Sequence, residues 1–142
     1  MTSQFPSFLK KPVRNVPSIL VVDDDEDNIL FASSSLQILD FSCIVADGGA
    51  KAIEIAIAKL PELILLDIVM PNVSGITVAE VLKSNPQTAH IPIIAVTGWT
   101  YPMQLQKIAD AGCDDYLCKP YAIEELAEKI SCFVNVDANV SS

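Results

Sequence analysis

Three carboxylates, a hydroxyl and an ammonium stand at the ends of short apolar runs in this 142-residue chain: Asp23 with Asp24, Asp67, Thr97 and Lys119. If these ends meet, the acids cannot all ionise unaided, because two unit charges about 4 Å apart interact by roughly 4 kcal/mol at an effective dielectric near 20. Lys119 offsets one charge, and a divalent cation would offset the rest. Every candidate ligand is an oxygen, so the cation should be hard, Mg²⁺ with Mn²⁺ as the alternative, rather than zinc. Mg²⁺ keeps several waters and takes one or two carboxylates plus a phosphate oxygen. A carboxylate can also attack phosphorus and form an acyl phosphate. Such transfer is mostly alignment and charge neutralisation, which a cation and Lys119 would supply, with the Thr97 hydroxyl donating to a third oxygen.

What must position these groups is a repeated alternation of strand and helix. Ser18–Asp23, Phe41–Ala46, Glu62–Asp67, Ile91–Thr97 and Asp115–Lys119 are short apolar runs rich in branched residues, the pattern of buried strands. Between them run helical periodicities. Ile29, Ser33, Leu36 and Leu39 share one face, and Ile53, Ala56, Ile57 and Leu60 another. Ile76–Ser84 is a short helix, and Met103–Gly112 turns Leu105, Ile108 and Ala109 inward. A last stripe comprises Ile123, Leu126, Ala127, Ile130 and Phe133. Pro61 and Asn85-Pro86 end helices, and Gly112 suits a C-terminal cap. The alternation predicts an α/β fold of three layers, a doubly wound (βα)5 unit with a parallel five-stranded sheet. Right-handed crossovers put every strand's C-terminal end on one edge, where such sheets bind ligands. The chemical groups named above all fall on that edge.

Composition narrows the function further. A net charge of −9 disfavours direct binding of nucleic acid. Residues 1–17 carry Lys10, Lys11 and Arg14 with no acid, so the acidity belongs to residues 18–134. With Pro6, Pro12 and Pro17 the first segment reads as a mobile leader, 18–134 as the folded domain, and 135–142 as a flexible tail. The chain contains no apolar run of ~18 residues and no secretory signal, so the expected location is cytoplasmic, without membrane association. The four cysteines show neither CxxC nor zinc spacing and are expected as reduced, mostly buried thiols. His90, the one histidine, lies before Ile91-Pro92 with no acid or base arranged around it, and reads as a loop residue. Neither a P-loop nor a GxGxxG stretch supports nucleotide binding. Asp25 and Glu26 read as helix-start acids.

Val21-Val-Asp-Asp24, Leu66-Asp-Ile-Val-Met-Pro71, Val96-Thr-Gly98 and Asp115-Tyr-Leu-Cys-Lys-Pro120 resemble, in order and spacing, the four signature segments of response-regulator receiver domains. The resemblance runs from about Ser18 to Val134. It implies the flavodoxin-like strand order 2-1-3-4-5. It also implies Asp67 as phospho-acceptor, Mg²⁺ on Asp23, Asp24, Asp67 and the Val69 carbonyl, and phosphoryl contacts from Thr97 and Lys119. Tyr116 would be the aromatic that changes rotamer on activation, and the Lys119–Pro120 bond would be cis. Thr97, Trp99 and Tyr116 then form the switch. The implied partners are a histidine kinase or histidine phosphotransfer protein and a downstream protein target, the regulator itself being a monomer or weak dimer.

Two positions bear on how long a phosphoryl group would survive. The residues two beyond Asp67 and two beyond Thr97 are Val69 and Trp99, neither of which can act as a base towards water. Slow loss of phosphate is the expectation. With nothing after Val134 long enough for an output domain, the chain reads as a stand-alone switch and not a multiple-turnover enzyme. Two other readings are a docking adapter for which phosphorylation is secondary, and a small aspartyl-phosphate phosphatase or phosphotransferase. The last usually requires an added cap and more residues.

Overall fold

The computed structural model describes residues 16–135. Most of the expected leader, 1–15, and most of the expected tail, 136–142, lie outside the described residues. In chain order the elements are β1 Ser18–Val22, α1 Glu26–Ile38, β2 Ser42–Ala46, α2 Gly49–Lys59 and β3 Leu63–Asp67. They continue as α3 Gly75–Ser84, β4 Ile93–Thr97, α4 Pro102–Asp110, β5 Asp115–Cys118 and α5 Ile123–Ser131. The strands form one parallel sheet in the order β2-β1-β3-β4-β5, as the resemblance implied.

Side chains alternate across the sheet with period two, and the burial follows that parity. Leu20, Val22, Ile64, Leu66 and Ile93 pack beneath α2 and α3 with Ala52, Ala56, Val78 and Leu82. Ile19, Val21, Leu63, Leu65, Ile94, Val96 and Leu117 pack on the other face with Ala32 and Leu36 of α1 and Leu126 and Ile130 of α5. Strands β3 and β4 are buried at every position, which is why their sequences are apolar up to the final Asp67 and Thr97.

Helix starts follow local chemistry. Asp25 caps α1, its carboxylate accepting from the amides of Asp27 and Asn28, so that acid is structural as expected. Ser74 caps α3 through the Ile76 amide, and Pro102 opens α4. Gly112, two residues past α4, has φ +99° and ends that helix in the left-handed region.

Several inward faces differ from the sequence reading. On α1 the expected Leu36 is buried and Ile29, Ser33 and Leu39 are part-buried, but Ala32 and Ser35 join the buried set. On α2 they are Gly49, Ala52 and Ala56, while Ile57 and Leu60 face outward. Of the α4 stripe only Ile108 is buried and Ala109 is exposed, and Phe133 lies just past the end of α5 and is exposed. Small residues lie innermost because α2 and α3 sit close together: a Cβ on Gly49 would stand 2.8 Å from the side chains of Val73 and Val78. The cysteines also correct the expectation. All four are free, but Cys118 and Cys132 are exposed and Cys43 and Cys113 only part-buried. Burial still raises the Cys43 thiol pKa and pushes that of Cys113 up to about 11. Among the described residues no helix is long and apolar enough to cross a membrane.

Candidate functional site

The parity that sorts the core also sorts the site. Asp23, Asp67 and Lys119 continue the alternation of Val21, Leu65 and Leu117 and share the α1/α5 side of the rim. Thr97 and Tyr116 continue the other parity, towards α3 and α4.

Asp23 and Asp67 are buried and Asp24 is exposed. One carboxylate oxygen from each lies within 4.8 Å of the others. Lys119 Nζ donates to Asp67 Oδ1 at 3.0 Å and lies 3.5 Å from Asp23 Oδ2. The Asp23 Oδ1 atom accepts the Asp25 amide at 3.0 Å, which fixes the turn leaving β1. Lys119 is held in place by its own amide, which donates to the Thr97 carbonyl, and is followed by a cis bond to Pro120, as implied. The cluster lines a cleft of ≈ 320 Å³ whose wall includes Asn28, Val69, Gly98 and Trp99.

Burial raises the Asp67 carboxyl above its ordinary value, the Lys119 hydrogen bond opposes this, and the charge of Asp23 adds to it. Burial acts to lower Lys119, but its bond to Asp67 and the charges of both acids outweigh burial and raise it. The site is thus short of positive charge: one ammonium serves three acids. The donor set is all oxygen and closely spaced, so it fits a small hard cation.

The Thr97 side chain is buried, and its hydroxyl accepts the Trp99 amide at 3.0 Å and donates to the Trp99 carbonyl at 3.2 Å. It is therefore engaged by its own loop. Trp99 is 54% exposed and Tyr116 37% exposed, the latter with Lys129 Nζ 5.2 Å from its ring centre. Val69 is exposed beside Asp67.

Three neighbours of the site escaped the sequence reading. Gly75 is one: an added Cβ would fall 2.3 Å from the Asp67 carbonyl oxygen and 2.7 Å from Ile68 Cα. Tyr121 is the second, its ring tilted at 59° against Phe31 at 5.3 Å between ring centres, its pKa pushed up to about 12 by burial and by the charge of Asp23. The third is Lys129. Gly75 and Tyr121 adjoin recognised segments and so carried a positional signal; Lys129 carried none.

A doubly wound parallel sheet with clustered acids and a lysine at its C-terminal rim defines a flavodoxin-like α/β protein with an anionic rim. Residues 19–131 match the family model of the response regulator receiver domain, and the chain belongs to that family. The polar-differentiation response regulator DivK of Brucella anthropi is 32% identical over 117 residues, covering 82% of this chain and 95% of DivK, and that of Brucella ovis is equally similar. In fold the chain is similar to the chemotaxis protein CheY4 of Vibrio cholerae, at TM-score 0.80 and 24% identity over 84% of this chain and 99% of that one. The receiver domain of the sensor histidine kinase PA1611 of Pseudomonas aeruginosa, described with magnesium in its active-site cleft, has TM-score 0.80 at 24% identity, over 85% of this chain and 99% of that one. The chain is accordingly a two-component signalling protein of the receiver class, not a conventional enzyme.

Proposed function

We propose that the chain accepts a phosphoryl group from a phosphohistidine onto Asp67 and thereby switches its affinity for a protein target or relays the phosphate. The observation that carries this reading is the bridging of Asp67 and Asp23 by one ammonium, Lys119 Nζ, at 3.0 and 3.5 Å with Asp24 beside them. Asp23, Asp24, Asp67 and the Val69 carbonyl would hold Mg²⁺ (or Mn²⁺). When bound, that ion supplies charge neutralisation at the phosphoryl oxygens.

Lys119 engages Asp67 Oδ1, which leaves Oδ2 to attack phosphorus. The new O–P bond forms as the P–N bond to the donor imidazole breaks, and the imidazole leaves with the electron pair and takes a proton. Burial of Asp67 keeps bulk water from the acyl phosphate. Lys119 then turns from the carboxylate to a phosphoryl oxygen, and Thr97 exchanges its bonds to Trp99 for another. Releasing Trp99 N and O from Thr97 frees the β4–α4 loop, and Tyr116, on the same side of the sheet, follows into the space. The donor is a histidine kinase or histidine phosphotransfer protein. The receiver unit spans 18–134, works in the cytoplasm as a monomer or weak dimer, and does not contact nucleic acid directly.

Acetyl phosphate with Mg²⁺ should label the chain to one equivalent, and Asp67→Asn should abolish labelling. Labelling that persists in Asp67→Asn refutes the assignment, and turnover beyond one equivalent favours an aspartyl-phosphate phosphotransferase.

A further inference from the structure

Lys129 lies on α5, a helix that packs on the β5 face opposite to Tyr116. Leu117 faces α5, so by period two Asp115 faces it as well and Tyr116 faces away. Yet Lys129 Nζ is 3.0 Å from Asp115 Oδ1 and 5.2 Å from the centre of the Tyr116 ring. Its side chain therefore reaches round the open edge of β5, the last strand of the sheet, and touches both sides at once. Asp115 Oδ1 also accepts the Tyr116 amide at 2.8 Å, so one carboxylate oxygen anchors both the ammonium and the backbone that carries the ring.

We propose that Lys129, anchored by Asp115, is a latch that holds the Tyr116 ring outward and sets the resting population of the switch. This deepens the function proposed above and rests on its reading of Thr97 and Tyr116. The geometry gives the reason. Tyr116 pairs with Ala95 and Cys118 with Thr97, so the ring and the Thr97 hydroxyl are diagonal neighbours on one face of adjacent strands. To move towards Thr97 the ring must leave the ammonium. In that arrangement Lys129 keeps its bond to Asp115 but loses the π face. The contact therefore stabilises only the outward state, and a contact made in one state alone is what biases a two-state equilibrium. Both side chains are partly exposed, which puts a cation–π contact at the weaker end of its range, equivalent to a roughly two- to fivefold bias. Such a bias tunes the threshold without preventing activation.

The test uses the full chain labelled with 3-fluorotyrosine and titrated with beryllofluoride, a phosphoryl mimic, at saturating Mg²⁺. Lys129→Met keeps the aliphatic stem and removes the charge. It should lower the beryllofluoride concentration at half-saturation about two- to fivefold and shift the unliganded Tyr116 resonance towards its loaded position. Lys129→Arg, which retains both the ion pair and a π contact, should restore wild-type behaviour. A role confined to folding would change the unfolding midpoint and leave both readouts at wild type; that result, or failure of Lys129→Arg to restore them, overturns the latch alone. A wild-type Tyr116 resonance that does not move with beryllofluoride overturns the switch reading and the latch with it.

Discussion

Replacing Gly75 by alanine puts one methyl group against the backbone that carries Asp67. The added Cβ would stand 2.3 Å from the Asp67 carbonyl oxygen, 2.7 Å from Ile68 Cα and 3.0 Å from the Asp67 carbonyl carbon. Ordinary van der Waals contact begins at 3.4 Å, so relief takes a shift of about 1 Å. Neither side can give easily. β3 is fully buried and paired on both sides, and the Gly75 amide donates to the Ile68 carbonyl at 2.9 Å. Overpacking of this kind costs about 3 kcal/mol, offset by at most about 1 kcal/mol from alanine's better helix propensity. The net loss of about 2 kcal/mol should lower Tm by roughly 8 °C. Because the shift falls on the residue bearing the nucleophile, labelling by acetyl phosphate should slow about 100-fold well below Tm. Gly98→Ala is the control, since nothing lies within 4 Å of its Cβ, and it should be neutral or stabilising by up to about 1 kcal/mol. Gly49→Ala should fall between, because its clash is with the Val73 and Val78 side chains and not with backbone. Urea unfolding with parallel labelling rates reads all three. A Gly75→Ala protein within about 0.5 kcal/mol of wild type and labelled at the wild-type rate would refute the reasoning.

Three further outcomes follow from the geometry. Since burial raises the Asp67 carboxyl, the stability it contributes is complete below its ordinary value near 3.8 and is lost as pH rises through the elevated one. Metal-free Asp67→Asn should therefore unfold at higher urea than wild type at pH 7 but not at pH 3, and Mg²⁺ at 100 times its Kd should stabilise wild type by about 2.7 kcal/mol and the variant by less; equal midpoints at pH 7 would count against the assignment. Val69→Ala and Trp99→Ala should each shorten the half-life of the phosphorylated protein severalfold by admitting water beside Asp67, as measured by loss of label after the donor is removed, and a longer half-life contradicts the shielding role. Lys83 Nζ donates to the carbonyls of Ala89 and Ile91 and to Asp114, whose Oδ2 also accepts the Ile93 amide, so Lys83→Met should cost about 2 kcal/mol in unfolding assays and leave the labelling rate unchanged.

The sequence by itself determined the succession of strands and helices, because the short apolar runs of β3 and β4, each broken only by its final Asp67 or Thr97, suit only strands buried on both faces. It also determined which residues reach the rim, since parallel strands joined by right-handed crossovers end on one edge and Asp23, Asp67, Thr97 and Lys119 sit at those ends. Tertiary structure alone decided the inward faces of the helices. Ile57 and Leu60 fit the helical period as well as Ala52 does, but the close approach of α2 to α3 leaves room only for small side chains. It decided as well that Cys118 and Cys132 face outward, and that Gly75 abuts the Asp67 carbonyl. Finally, it brought Lys129 round the sheet edge to Tyr116, a contact between opposite faces of one strand that no local spacing encodes, because the path depends on where β5 ends the sheet.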